Sequence, residues 1–242
     1  MTPGHSPFAP AEVWEVDTPS GVARAHHHPV PHGGARATLV LGHGAGRGVD
    51  ARELVAIAGT LPAEHGVEVV LIEQPWHVSG RRVANAPPAL DKAWTACIHD
   101  LRGRGIGVRR LVVGGRSAGA RVACRTVAHV QPAALFLLAF PVRPLARNPL
   151  AEPPPSRLPE LVEAIRQVPA VVVQGTRDML GEPGEIALGL AEANVTARVL
   201  PIPEADHAFK VPARVQGGQE AALDLIVCAA RAAALRIIDG QY

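Results

Sequence analysis

The sequence is poor in aromatic residues and in cysteine. Its 242 residues include three tryptophans, one tyrosine and four phenylalanines, a small set with which to line a deep acyl tunnel. Cys97, Cys124 and Cys228 are odd in number and widely spaced. This pattern argues against a disulfide framework and against a cysteine-ligated metal site, so we expect reduced, packed thiols.

The chain also lacks a strong excess of charge and a long apolar run. Lys and Arg total 24 against 22 Asp and Glu, a net charge of +2, and the absence of an extended basic block makes nucleic acid an unexpected partner. The longest apolar run, residues 133–140, is too short to cross a bilayer and is typical of a buried parallel strand. The N-terminal segment, with Pro3, Pro7 and Pro10, has no apolar core of the signal-peptide kind, so no membrane contact and a cytoplasmic location are expected.

Strand-like and helix-like segments alternate along the chain. From the third strand-like run onward this alternation predicts a mostly parallel sheet with right-handed crossovers and helices on both faces. The first two runs are joined by a turn too short for a helix, which predicts an antiparallel hairpin at one edge. The length fits one domain over residues 1–242. Strands are predicted at 13–17, 22–27, 38–41, 68–72, 111–113, 134–139, 170–174 and 197–200, and helices at 51–63, 88–101, 118–129, 158–167, 182–193 and 218–235.

The most informative motif is Gly115-Arg116-Ser117-Ala118-Gly119, which follows the apolar run 111–113. In a G-x-S-x-G turn the serine sits on a sharp corner between strand and helix, and the flanking residues are small because the two backbones nearly touch. The corner exposes the hydroxyl, while the N–H of Ala118 lies at a helix N-terminus, where it can face an oxyanion. Ser117 is therefore predicted to be a nucleophile, with a simple tight turn as the alternative for this motif alone.

A serine nucleophile needs a base to take its proton and an acid to orient that base. Asp178 follows the strand-like run 170–174, and His207 follows the run 197–200, so both are expected at the carboxyl ends of strands. Asp206 is a rival acid. Because sequence neighbours rarely place a carboxylate against Nδ1 of the next imidazole, Asp178 is favoured.

A glycine-rich turn, Gly42-His43-Gly44-Ala45-Gly46, follows the strand-like run 38–41. Such a turn can supply the second N–H of an oxyanion hole, with Ala45 as the favoured donor and Gly44 next. A phosphate-binding loop is the competing interpretation, but the turn carries neither G-K-[ST] nor a complete dinucleotide fingerprint. His43 is expected to hold this turn through its backbone or to contact the substrate.

Two segments, residues 74–88 and 141–159, are expected to wall the cleft. Neither is long enough for a large lid, and the second is rich in proline, so we expect a stiff loop over an open cleft and a small or extended acyl substrate. Trp76 is predicted beside the cleft. Arg116 could bind a substrate carboxylate, although pairing with an acidic neighbour is the favoured role.

Three consecutive histidines, His26, His27 and His28, suggest a metal cluster at first sight. Successive strand residues point to opposite faces of a sheet, so all three cannot reach one ion. A solvated edge strand is the favoured interpretation, and no metal site is predicted.

Taken together, the glycine-rich turn, the serine elbow, Gln174-Gly175-Thr176-Arg177-Asp178 and Asp206-His207 resemble a small α/β-hydrolase family. That family includes testis-expressed protein thirty and the third regulatory subunit of the NSL acetyltransferase complex, and it is similar to dienelactone hydrolases. The likeness spans residues 37–230. It implies the α/β-hydrolase fold with a minimal cap and a triad of Ser117, Asp178 and His207, but no particular substrate.

The sequence thus predicts a serine hydrolase that cleaves a carboxylic ester or a related acyl bond in a small molecule. Ser117 attacks, His207 transfers the proton, Asp178 orients the imidazole, and the N–H groups of Ala118 and Ala45 hold the oxyanion. No metal or organic cofactor is expected. An interaction domain without catalysis is the main alternative, and an acyltransferase or peptidase with the same triad is a third.

Overall fold

The computed structural model describes residues 11–108, 110–144 and 154–235. Eight strands form one sheet in the order β1-β2-β4-β3-β5-β6-β7-β8, which confirms the predicted number of strands. In chain order they are β1 (Glu12–Thr18), β2 (Gly21–His28), β3 (Ala37–Gly42), β4 (Val67–Glu73), β5 (Leu111–Arg116), β6 (Ala134–Leu138), β7 (Ala170–Gly175) and β8 (Arg198–Ile202).

Helices connect the strands. They are α1 (Arg52–His65), α2 (Pro75–Val78), α3 (Pro87–Gly103), α4 (Ala118–Arg125), α5 (Val127–Val130), α6 (Leu158–Gln167), α7 (Pro183–Glu192) and α8 (Gly218–Leu235). The helix predicted over 118–129 is divided at Thr126, whose φ is −102° and ψ is 3°. The Thr126 hydroxyl donates to the carbonyl oxygen of Val122 at 2.8 Å, a local bond that competes with regular helix geometry.

The sheet is antiparallel only where β1 pairs with β2 and β2 pairs with β4; the remaining pairs are parallel. The hairpin at one edge is confirmed, with β1 outermost. The solvated edge strand expected for the three histidines is wrong, because β2 is covered on both sides by neighbouring strands. His27 is only 8% exposed, and its Nε2 lies 3.1 Å from a carboxylate oxygen of Glu68.

The strands alternate their side chains between two apolar layers. In β6, for example, Leu135 and Leu137 face one layer while Phe136 and Leu138 face the other, as expected for a strand buried on both faces. The first layer is completed by α3 to α7 and the second by α1 and α8. The predicted arrangement of helices on both faces is therefore confirmed.

The candidate site residues follow β3, β5, β7 and β8 in the chain. Because these strands are parallel, their carboxyl ends lie on the same side of the sheet, and the candidate residues collect there. Above this edge the described residues contribute only loops and the single turn α2, in agreement with the predicted minimal cap. Of the proline-rich segment 141–159, the structure describes residues 141–144 and 154–159, and residues 145–153 lie outside the described part of the chain. Among the helices described, none has both the length and the apolarity that a bilayer crossing demands.

Candidate active site

Ser117 sits on a strained corner between β5 and α4. Its φ of 51° and ψ of −105° lie where residues other than glycine are rarely found, a type of strain that clusters at functional sites. A Cβ added at Gly115 or at Gly119 would collide with the carbonyl oxygen of Gly42. The two glycines of the motif therefore allow β5, α4 and β3 to approach closely enough to hold the serine in this conformation.

A continuous hydrogen-bonded chain links serine, histidine and aspartate. Nε2 of His207 lies 3.0 Å from Oγ of Ser117, and Nδ1 of His207 lies 2.8 Å from Oδ2 of Asp178. An imidazole that donates its Nδ1 proton to the carboxylate has an unprotonated Nε2, which can accept the serine proton. The structure thus brings together the three residues that sequence analysis selected, although they are far apart in the chain.

Asp178 is held rigidly in the interior, where it is 0% exposed. Its Oδ1 accepts the backbone N–H of Leu180, and its Oδ2 accepts a proton from Nε2 of Gln174, both at 2.8 Å. Gln174 also donates to the carbonyl oxygen of Gly181 at 2.7 Å and accepts the N–H of Phe140 at 2.9 Å. Sequence analysis missed this supporting glutamine; the available signal was a single amide at the end of an otherwise apolar strand.

Asp206 does not contact the imidazole of its neighbour. Its Oδ1 accepts the backbone N–H groups of Ala208 and Lys210, at 2.8 and 2.9 Å. The carboxylate therefore shapes the loop that carries His207, while Asp178 faces Nδ1.

Arg116 is bound into the protein around the site. The side chain is largely buried; its Nη2 donates to the carbonyl oxygen of His207 at 2.8 Å, and its Nε lies 3.0 Å from Oε1 of Glu53. The latter contact is electrostatic, because the N–H does not point at the oxygen well enough for a hydrogen bond. Burial raises the pKa of Glu53, and the Arg116 charge opposes that rise. Arg116 therefore pairs with an acidic neighbour, the role favoured for it above, and also bonds the loop that carries His207.

His43 and Trp76 support the glycine-rich turn from below. Nδ1 of His43 donates to the carbonyl oxygen of Gly44 at 2.9 Å, and its Nε2 accepts the N–H of Gln74 at 3.0 Å. Burial lowers the pKa of His43, which favours the neutral form that both bonds require. Trp76 is 3% exposed, with its ring 5.5 Å from that of His43. His43 thus holds the turn, the first of the two roles expected for it, whereas Trp76 is not among the described residues that line the cleft at Ser117.

Gly44 and Ala45 lie where the predicted oxyanion turn should meet the serine. A Cβ added at Gly44 would be 3.5 Å from Cβ of Ser117, so the two backbones are in close approach. Ala45 is exposed, and together with Ala118 and Ser117 it lines an open cleft of about 1030 Å³. Another cavity, lined by residues of α1, β7, β8 and α8, lies toward the amino ends of the strands and contains no serine among its described residues.

Both predicted walls contribute to the cleft at Ser117. Its described lining includes Arg82, Val83, Ala84, Asn85 and Pro87 from the first segment, and Pro141, Pro144, Pro154 and Arg157 from the second. The cleft therefore combines small apolar surfaces with cationic side chains.

A family model described as an alpha/beta hydrolase domain matches residues 35–235. The chain belongs to this family. The match includes the elbow, the glycine-rich turn and all three members of the hydrogen-bonded chain. Among curated proteins, none matches the sequence significantly.

Solved structures share the fold at low sequence identity. An α/β serine hydrolase without a lid, from Xanthomonas campestris, is 18% identical with a TM-score of 0.67, over 95% of this chain and 98% of that one. An α/β serine hydrolase homologue from Coxiella burnetii is 15% identical with a TM-score of 0.70, over 91% and 97%. EstE1, a thermophilic carboxylesterase cloned from a metagenomic library, is 18% identical with a TM-score of 0.64, over 96% and 91%. The near-complete coverage supports a shared fold.

Proposed function

We propose that this family member is a serine hydrolase that cleaves a carboxylic ester or a closely related acyl bond in a small molecule. The observation that carries the proposal is the hydrogen-bonded chain from Asp178 through His207 to Ser117, with the serine on a strained elbow. Each group has the role that its chemistry suits: a buried carboxylate, an imidazole whose Nδ1 faces that carboxylate, and a hydroxyl that lines the cleft.

In the proposed reaction, Oγ of Ser117 attacks the substrate carbonyl while its proton passes to Nε2 of His207. Asp178 stabilises the resulting imidazolium, which then protonates the leaving alcohol and leaves an acyl ester on Ser117. Water, deprotonated by His207, then attacks the carbonyl of that ester to form a tetrahedral intermediate. Its collapse breaks the bond to Oγ of Ser117, which takes the proton back from His207, and releases the acid. The N–H groups of Ala118 and Ala45 are the proposed oxyanion donors, because both residues line the cleft beside Ser117.

The comparisons support this proposal at the level of the family and the fold. The matched family is one of hydrolase domains, and the similar structures include proteins described as serine hydrolases and a carboxylesterase. The narrower resemblance to the group of testis-expressed protein thirty rests on the motifs, and we retain it as a proposal. We also retain residues 1–242 as one proposed domain. Hydrolysis is favoured over acyl transfer because the cleft is open to water, the simplest acyl acceptor; cleavage of a peptide by the same triad is the alternative hydrolysis.

A fluorophosphonate probe followed by peptide mapping tests the proposal. An activated serine attacks phosphorus as it attacks a carbonyl, so we expect a covalent adduct on Ser117. Ser117→Ala should abolish labelling, whereas Ser20→Ala, in the turn between β1 and β2 and outside the described lining of the cleft, should leave it intact. A correctly folded wild-type protein that several such probes leave unlabelled would instead support a non-catalytic interaction domain.

A further inference from the structure

The cleft around Ser117 is lined by cationic side chains without acidic ones. Its described lining contains five arginines and neither Asp nor Glu: Arg82, Arg116, Arg121, Arg125 and Arg157. Such a surface attracts anions, and a concave site strengthens the attraction.

Three of these arginines are neutralised by carboxylates that lie behind the cleft surface. The pairs are Arg116 with Glu53, Arg121 with Glu160, and Arg125 with Asp91. Nε of Arg121 donates to Glu160 at 2.8 Å and Nε of Arg125 donates to Asp91 at 2.9 Å, so both guanidinium groups are fixed by two-pronged contacts.

Arg157 and Arg82 differ from the other three arginines because they have no carboxylate partner among the described residues. Within residues 11–108, 110–144 and 154–235, no carboxylate lies within ion-pair distance of either guanidinium. Arg82 is exposed at the rim, whereas Arg157 is half-buried and immediately precedes α6. The backbone N–H of Arg157 donates to the carbonyl oxygen of Val142 at 2.8 Å, which fixes the position of its main chain.

The surroundings of Arg157 favour the arrival of a negative charge. Partial burial and the nearby charges of Arg121 and Arg125 lower the pKa of Arg157, and the carboxylate of Glu160 offsets them only in part. A half-buried guanidinium without a carboxylate partner is costly unless something compensates it. A substrate anion in the cleft would supply the missing charge and accept two hydrogen bonds from the planar fork.

We propose that the preferred substrates are esters that carry a carboxylate in addition to the scissile bond, and that Arg157 binds this carboxylate with Arg82 assisting at the rim. The proposal rests on the proposed hydrolysis at Ser117 and names the substrate class of that site. Arg157 acts here as a specificity-determining residue.

The test compares pairs of esters that differ only in charge. One pair places the charge on the acyl side, as the mono-4-nitrophenyl ester of adipic acid and its neutral adipic monoamide counterpart. The other places it on the leaving group, as 4-carboxyphenyl butyrate and 4-carbamoylphenyl butyrate. We expect kcat/KM of the wild type to be higher for the anionic member of at least one pair, by about tenfold or more.

Variants then assign the preference to Arg157. Arg157→Gln should lower the anionic-to-neutral ratio of kcat/KM by about ten- to a hundredfold, and Arg157→Lys should retain part of it, since lysine keeps the charge but not the fork. Arg166→Gln is the matched control. Arg166 is an exposed residue on α6 whose loss changes the net charge equally, and its variant should keep the wild-type ratio.

Failure of the inference can be separated from failure of the proposed hydrolysis. Equal turnover of both members in both pairs, with Ser117 labelled by the probe, would overturn the substrate class and leave the hydrolase intact. If none of the four esters is turned over, calorimetric titration of adipate into the Ser117→Ala variant tests the anion site directly. Saturable binding that Arg157→Gln abolishes would support the anion site, and absence of binding would overturn it.

Discussion

Nη2 of Arg116 donates a 2.8 Å hydrogen bond to the backbone carbonyl oxygen of His207. The residue before the elbow serine thereby holds the loop that carries the imidazole. On its other side the same guanidinium contacts Glu53 of α1, so three distant chain segments meet at one cation. The 3.0 Å separation of Nε2 and Oγ depends on the placement of this loop, which makes Arg116 a positioning residue for the proposed reaction.

Replacing Arg116 by methionine should lower kcat of ester hydrolysis by about a hundredfold and change KM little, because a shift of about 1 Å in a proton acceptor has an effect of this size. Arg116→Lys should recover part of kcat. Removal of the cation also leaves Glu53 buried without a partner, so the double variant with Glu53→Gln separates positioning from stability. Steady-state kinetics and chemical unfolding are compared in each; a normal kcat in the double variant contradicts the positioning role.

The choice between the two candidate acids is tested by paired amide substitutions. Asp178→Asn should reduce kcat by about ten thousandfold, because an amide that donates to Nδ1 stabilises the wrong tautomer. Asp206→Asn should have a much smaller effect, because that carboxylate only accepts backbone N–H groups in its own loop. His207→Ala should abolish turnover. The assignment is wrong if Asp206→Asn is crippling while Asp178→Asn remains active.

The sheet could be predicted from the sequence because strand patterns and glycine turns are local signals. The run before Ser117 and the run before Asp178 each specify a buried strand and a turn within ten or so residues. The outer hairpin could be predicted because the turn between its strands is short. The position of β2 inside the sheet could not be predicted, because it depends on pairing with β4, a strand distant from β2 in the chain.

The supporting residues of the site could not be predicted for the same reason. Arg116 contacts Glu53 and the carbonyl oxygen of His207, and Gln174 accepts the N–H of Phe140; these partners lie far apart in the chain, and no spacing rule connects them. Trp76 lies in the single turn α2, which begins at Pro75, and its ring is buried beside that of His43. The residue types and their order along the chain indicate the chemical groups, whereas tertiary contacts decide which of them face the cleft.

Protonation of His43 should decrease the stability of the fold at mildly acidic pH. Burial lowers the pKa of His43 in the folded state below its usual value of 6.5. At a pH between the folded and the unfolded pKa the unfolded state binds more protons, so the free energy of unfolding falls as the pH falls. His43→Asn keeps a donor toward Gly44 but loses the acceptor for Gln74. We expect this variant to be less stable by about 1–3 kcal/mol above pH 7, with the difference narrowing toward about pH 5. Urea unfolding at both pH values provides the measurement.

His27 is the control for that pH dependence, because the pKa of His27 is shifted in the opposite direction to that of His43. Burial disfavours its cation, but Glu68 and Glu12 outweigh burial and raise its pKa above 6.5. Its stabilising contribution is present below the unfolded pKa and is lost as the pH rises through the folded pKa. His27→Gln should therefore be most destabilising at the acidic end. If both variants change stability equally at every pH, neither imidazole is responsible for the pH dependence.

The acyl chain preferred among neutral esters should be short. The described lining of the cleft offers only small apolar surfaces, such as Val83, Ala84 and Leu180, between the arginines. Each methylene removed from water contributes about 0.8 kcal/mol, so kcat/KM should rise with chain length only while new methylenes still contact a wall. We expect a maximum at about two to six acyl carbons in a series of 4-nitrophenyl esters from acetate to palmitate, followed by a decline.

Leu180→Ala, which removes one apolar surface, should shift the maximum toward shorter chains, whereas Leu225→Ala, at an exposed position of α8, should not. A maximum at about twelve carbons or more would require a long apolar channel and would contradict the open cleft inferred here.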